Sequence, residues 1–319
     1  MKFYWSDREG KTPPPGCTFH WRPFAQGKEV SSRPEFMDLP APQSYKVLKR
    51  TFFPTFAEWK EGVEKALQLI RRKVLEKVVL GRICILELAE APDPFAIAAA
   101  LKEKAHGGAF VFCAQSEAMS FLGASPERLF VRKGRALLSE AIAGTRPRGQ
   151  TAAIDEQLRS ELLNSSKDLR EFSPVQKYLQ SALSPLCVAP LIFSPISVHQ
   201  TPNVQHLYSQ CSGELKESIT DEEILTSLHP TPALCGTPTL KAISLIRECE
   251  PFDRGLFGGA IGWSTPEHSE WIVGIRSCII EGKKATLFSG TGIVEGSDPA
   301  EEWEELDHKL KLYDRILDD

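Results

Sequence analysis

Long β-rich runs that follow one another with only a turn between them are the feature that most restricts this fold. In the last third of the chain, residues 255–263, 271–280 and 285–294 read as strands. Residues 129–143 read as a hairpin turning at Lys133-Gly134, and residues 77–85 and 109–114 are β-rich and apolar. Further strands are expected at 187–198 and 204–214. Neighbouring strands joined without a helix pair antiparallel. Helical segments interrupt these pairs but do not alternate with them, so the expected class is α+β with a largely antiparallel sheet, not a doubly wound one. No repeat of solenoid period is present.

The helices announce themselves by capping and spacing. Thr55 with Glu58 three residues on forms a capping box, followed by Trp59, Val63, Ala66, Leu67 and Ile70 at helical spacing. Asp93-Pro94 opens a second helix, and the pattern returns over 152–163 and 166–183. The loop His229-Pro230-Thr231-Pro232 leads to a helix expected to be capped by Thr237, with Pro238 behind it. The last helix follows the turn Gly296-Ser297-Asp298-Pro299, and its stripe of Trp303, Leu306, Leu310, Tyr313 and Leu317 belongs on a core.

Glu302, Glu305 and Lys309 fall within roughly 60° of one another on the flank of that stripe. Asp168 and Glu171 repeat the i, i+3 acid spacing on an earlier helix. Two helices each presenting paired acids suit a hard divalent cation, which takes oxygen ligands. The plain alternative is acids facing water.

Four loops hold more special residues than a scaffold requires. Ser125-Pro126-Glu127-Arg128 puts a carboxylate after a proline at a strand junction. Residues 141–149, AIAGTRPRG, combine glycine and arginine in a way that suits an anion, or a basic surface loop. Ser289-Gly290-Thr291-Gly292 permits close backbone approach to a ligand but is no dinucleotide fingerprint. Arg276 sits inside an apolar run and needs an internal carboxylate or a bound anion as partner.

A formal net charge of -4 without a basic stripe argues against nucleic-acid binding. No apolar run approaches the roughly 20 residues that span a bilayer, and the N-terminus has no hydrophobic signal core. The eight cysteines show no metal spacing, and Cys84, Cys113 and Cys278 read as reduced core thiols. A cytoplasmic location is expected. Residues 1–50, rich in proline, read as an arm or edge strands, and 51–319 as the main domain.

Taken together, KVVLGR, SPERLF, AIAGTRPRG, KDLREF, HPTPALCG, PFDRGLFGGAIGW, IVGIRSC and GTGIVEGSDPAEEWEELDHK occur in one order. That order resembles the chorismate-utilising enzymes: isochorismate synthases, salicylate synthases, anthranilate synthase large subunits and aminodeoxychorismate synthases. The resemblance covers about residues 50–315. It implies a two-lobed fold like that of anthranilate synthase component I, with largely antiparallel sheets packed face to face and helices outside. It also implies a cleft for chorismate and Mg2+, and an N-terminal portion shorter than the family's usual one.

Water-using members resemble one another in a lysine before the Val-Val-Leu run, here Lys77. Aminodeoxychorismate synthases carry a nucleophilic lysine where this chain has Ala143. The resemblance therefore favours a Mg2+-dependent isochorismate synthase, an isomerase expected to act as a monomer without a glutaminase subunit. Salicylate synthase is the alternative, followed by an ammonia-using enzyme or a non-catalytic homologue. Carried over by position, Lys77 is the general base for water and Glu127 the general acid for the departing ring hydroxyl. Glu171 and Glu305 bind Mg2+, supported by Asp168 and Glu302. Arg276 pairs with the enolpyruvyl carboxylate, aided by the N–H groups of Gly290 and Gly292. Gly144, Thr145, Ala233 and Leu234 line the ring, and Lys309 balances the acids or touches a carboxylate. His229 is expected to be structural or a ligand contact.

Overall fold

The computed structural model describes residues 1–25, 29–105, 108–201 and 204–317. Seven helices are present among them: α1 (Phe56–Arg71), α2 (Pro94–Ala105), α3 (Ala152–Asn164), α4 (Ser166–Leu183), α5 (Asp221–Leu228), α6 (Thr239–Cys249) and α7 (Pro299–Leu317). The strands form two nine-stranded sheets. In the first, Lys77–Leu88 and Lys284–Ile293 pair antiparallel along their length, followed by Ser277–Glu281, Ser120–Ser125, Phe110–Gln115 and Lys2–Ser6. In the second, Val204–Glu214, Ala136–Pro147, Arg128–Lys133, His268–Val273, Ala260–Ser264 and Thr18–Arg22 run antiparallel in that order.

Strand alternation makes these sheets a sandwich. Phe3 and Trp5 point one way into a core with Phe110, Phe112, Phe121, Phe19, Ile261 and Trp263, where the two sheets meet. Tyr4, Val111 and Cys113, one residue out of step, point the other way and meet α2 and α7. On the far side, Leu207, Cys211, Leu137 and Ala141 pack on Phe172, Val175, Leu179 and Leu183 of α4. The order is helices, sheet, sheet, helices, which is the expected α+β class with antiparallel sheets face to face and helices outside.

Local signals hold where the chain obeys local rules. The Thr55–Glu58 capping box forms in full, and Asp298 accepts hydrogen bonds from the Ala300 and Glu301 N–H groups at the start of α7. The hairpin turns at residues 134–135 between Arg128–Lys133 and Ala136–Pro147. Four expectations need correction. Residues 187–198 are not one strand but Ile192–Phe193 and Ser197–Gln200, broken by Pro190 and Pro195. The 255–263 run becomes a strand only from Ala260, because Gly255 and Gly258 adopt positive φ. Thr237 does not cap α6; it pairs with Lys77 in a short strand, and Pro238 occupies the cap without a side-chain bond. Apart from these four, α5 is a helix for which no expectation was made, although Thr220 and Glu223 form the same capping box as at α1.

The fourth correction matters most. Residues 271–280 are two strands, His268–Val273 in the second sheet and Ser277–Glu281 in the first. Arg276 sits in the crossing at φ 50, not inside a strand. The chain crosses in the opposite sense between Ser120–Ser125 and Arg128–Lys133, and there it carries Glu127. The two crossings are bonded to each other, with Val273 N–H donating to Glu127 O at 3.1 Å and Ala124 N–H to Arg276 O at 3.1 Å.

Candidate active site

A cavity opens beside these crossings. Glu127, Gly144, Thr145, Glu171, Ala233, Leu234, Arg276, Gly290, Gly292 and Lys309 line it, ten side chains or backbone segments expected from the sequence to meet substrate, acid chemistry or metal. Glycine is required at two of these positions. Gly144 holds φ +72, and a Cβ at Gly292 would stand 2.3 Å from Glu171 Oε1 and 2.7 Å from Lys77 Cε.

Lys77 lies behind that wall. Its side chain is fully buried, and Nζ donates to Glu171 Oε1 at 3.2 Å. Glu127 is the cavity's acid. Burial pushes its carboxyl up to about 8; Glu140 adds to the rise, while Lys77, Arg8 and Lys309 oppose it. Burial also lowers the Arg276 guanidinium, to about 10, against the pull of Glu305.

The expected metal carboxylates are partly gathered. Thr291 Oγ1 lies 2.7 Å from Glu302 Oε2 and 2.9 Å from Glu305 Oε1, and its single proton serves one of them at a time. Burial and the neighbouring Glu305 charge raise Glu302. Burial works to raise Glu305 as well, but Lys309, 2.6 Å from Oε1, outweighs it and holds that carboxyl low. Lys167 stands 2.8 Å from Glu302, and Glu302, Glu305 and Glu171 together hold its ammonium high against burial. Asp168 is paired with Arg146 at 2.6 Å. Each of the four acids thus faces a protein cation, and neither Asp168, Glu302 nor Glu305 lines the cavity. Among the described residues no group of three or more His, Cys, Asp or Glu is close enough to hold a metal ion. The donor chemistry nonetheless fits a hard divalent ion: all oxygen, with two acids repelling each other across one hydroxyl.

Sequence reading missed His206, which lines the cavity from Val204–Glu214. Its Nδ1 meets Gly144 O at 3.1 Å and Thr145 Oγ1 at 3.2 Å, and Nε2 lies 3.4 Å from Arg276. Burial, then Arg276 and Lys309, keep it well below the usual imidazole range, so it is neutral. Arg254 was missed too. It holds Leu234 O and Val79 O at 2.7 Å each, and the Glu250 carboxylate, fixing two pieces of the wall. His229 proves structural: Nε2 holds Phe24 O at 3.1 Å, away from the cavity lining.

The family model described as chorismate binding enzyme matches residues 26–318. The chain belongs to the chorismate binding enzymes. It is 40% identical over 276 residues to isochorismate synthase 2, chloroplastic, of Arabidopsis thaliana, a match covering 85% of this chain and 49% of that protein. It is 37% identical over 275 residues to isochorismate synthase DhbC of Bacillus subtilis, covering 83% and 68%. Its fold is similar to that of MenF, the menaquinone-specific isochorismate synthase from Escherichia coli, with TM-score 0.87 and 26% identity over 98% of this chain and 87% of that one. The chain spans about half the length of the first curated relatives it matches, 49%, 47% and 54%.

Proposed function

We propose that this chorismate binding enzyme isomerises chorismate to isochorismate. The observation that carries the reading is Glu127, an acid kept protonated by burial in the same cavity as Arg276 and within electrostatic reach of Lys77. The names of the relatives support it, since they are isochorismate synthases. Ala143, small and in the cavity wall, supports water as the nucleophile over a covalent lysine adduct.

In this reading Lys77, released from its contact with Glu171 as a neutral amine, takes the proton of the water that adds to the ring. The ring hydroxyl leaves as water with the proton of Glu127. One water enters and one departs, so the product is an isomer of the substrate. Arg276 holds the enolpyruvyl carboxylate, while Gly144, Thr145, Ala233 and Leu234 enclose the ring. Backbone N–H groups of Gly290 and Gly292 approach the bound anion, and Lys309 ties α7 to this segment through Gly290 O at 2.7 Å. Glu171 and Glu305, supported by Glu302 and Asp168, are the residues that would hold Mg2+, which supplies charge neutralisation at the ring carboxylate. The reading includes a monomer without a glutaminase subunit and a cytoplasmic setting, which eight free cysteines suit.

Product analysis after incubation with chorismate and Mg2+ tests this. Isochorismate without pyruvate is expected. Pyruvate release identifies a salicylate-forming lyase instead, an aminated product with ammonium salt an ammonia-using enzyme, and unchanged chorismate a non-catalytic homologue. Glu305→Ala should keep the fold and raise the Mg2+ concentration needed for half-maximal turnover at least tenfold; an unchanged requirement removes Glu305 from the metal site.

A further inference from the structure

The chain also passes between the sheets after the strand Lys2–Ser6, and there it places Arg8. Residues 1–25 lie outside the segment that the family model matches. The guanidinium nevertheless spans 132 positions to Glu140, with Nη1 donating to Oε1 at 3.0 Å and Nη2 to Oε2 at 2.6 Å. Nη2 also donates to Pro126 O, in the crossing that carries Glu127. Glu140 is sealed from solvent, and Arg128 donates to the same Oε1 at 2.8 Å while also binding Glu270 at 2.9 and 3.1 Å. Arg8 and Arg128 lie 4.9 and 5.2 Å from the Phe110 ring centroid, which keeps both guanidinium planes fixed.

We propose that Arg8 is a positioning residue for Glu127: it clamps the Pro126 carbonyl, fixing the direction of the acid, and neutralises the Glu140 carboxylate that lies behind it. This deepens the acid assignment made above and rests on it. The arrangement needs an arginine. Only a planar fork satisfies both Glu140 oxygens and a neighbouring carbonyl at once, and a lysine supplies a single point charge. A buried carboxylate stripped of one partner is costly and throws its field onto its neighbours.

The charged groups that act on Glu127 are Lys77 from the strand Lys77–Leu88, Glu140 from Ala136–Pro147, Lys309 from α7, and Arg8 itself. Around the cavity stand Glu171, His206 and Arg276, and beyond Glu140 lies the Arg128–Glu270 pair. Lys77 and Lys309 are untouched by a change at residue 8. Removing Arg8 takes away one cation that lowers Glu127 and leaves Glu140, which raises it, less compensated. Glu127 then holds its proton to higher pH, so the alkaline limb of the turnover profile moves upward.

The test compares Arg8→Gln, Arg8→Lys and Glu127→Gln in the full chain, with kcat, KM and pH profile measured on chorismate and folding checked by circular dichroism. Arg8→Gln should lower kcat roughly 10- to 100-fold, leave KM within about threefold, and shift the alkaline limb upward. Arg8→Lys should keep the limb near its original position and recover only part of kcat; it also decides the matter if Arg8→Gln does not fold. If Glu127→Gln is inactive but both folded Arg8 variants keep normal kcat and pH profile, the proposal is wrong and the acid assignment stands. Loss of thermal stability alone, with kcat per folded molecule unchanged, overturns it equally. A fully active Glu127→Gln removes the acid assignment and this proposal with it.

Discussion

A carboxyl group closed off where two sheets meet keeps its proton far beyond the pH at which a solvated glutamate releases it. For Glu127 the folded value, about 8, lies above the ordinary 4.5. Between those values the native state holds a proton that the unfolded chain has lost, so stability is fully present below the lower value and falls as pH rises through the upper one. Glu127→Gln carries no such charge. Its unfolding free energy, from urea or heat, should exceed that of the unmodified protein at pH 8–9, by up to about 5 kcal/mol, while the two converge near pH 4.5. A constant difference across pH refutes the buried acid. The same substitution removes the proposed acid, so stability and turnover should move in opposite directions. Lys77→Ala should cut kcat by roughly 10²–10⁴-fold with chorismate still bound; normal turnover in that variant ends the base assignment.

Among the elements, the strand Lys284–Ile293 and α7 do most to define the cavity. Thr291 faces α7 and joins Glu302 to Glu305, while Gly290 and Gly292, out of phase with it, leave room on the other face. Arg82, buried in the neighbouring strand, pairs with Asp307 and lies 4.2 Å from the Trp303 ring centroid, which fixes the helix on the sheet. Gly292→Ala tests this packing. The added methyl meets the ends of two long side chains, the partly exposed Glu171 and the buried Lys77, so their pair must shift to admit it. Thermal unfolding should shift by only a few degrees, whereas turnover should fall about 100-fold. Normal turnover would show that the Glu171–Lys77 placement is irrelevant to the reaction. The elements were readable from sequence wherever a local rule set them: the Thr55 box, the 166–183 helix and the apolar stripe of α7 all formed as read. They were misread at Thr237 and in 271–280, where pairing with distant strands overrode local pattern.

At the scale of the molecule, the early strands bind the sandwich together. Lys2–Ser6 joins one sheet and Thr18–Arg22 the other, and Trp5 lies in the shared core, 5.8 Å from Phe19 and 6.0 Å from Phe110 between ring centroids. Trp5→Ala should cost about 3–5 kcal/mol and lower a single unfolding transition seen alike by far-ultraviolet circular dichroism and tryptophan fluorescence. Two separate transitions would show that the sheets unfold independently. Because Arg8 follows this strand, the variant should also lose turnover before it loses its secondary structure.

Sequence alone marked six of the seven helices, the antiparallel class and, through the family resemblance, ten positions that line the cavity, because caps, spacing and ordered motifs are properties of short segments. Tertiary structure decided the rest. It set where the chain crosses between sheets, placed neutral His206 beside Arg276, paired each acid with its cation, and brought Arg8 to Glu140 and Pro126. Those contacts join residues tens to hundreds of positions apart, such as the 132 between Arg8 and Glu140. No local pattern encodes them, since they form only when two sheets pack and bury charges that must then find partners.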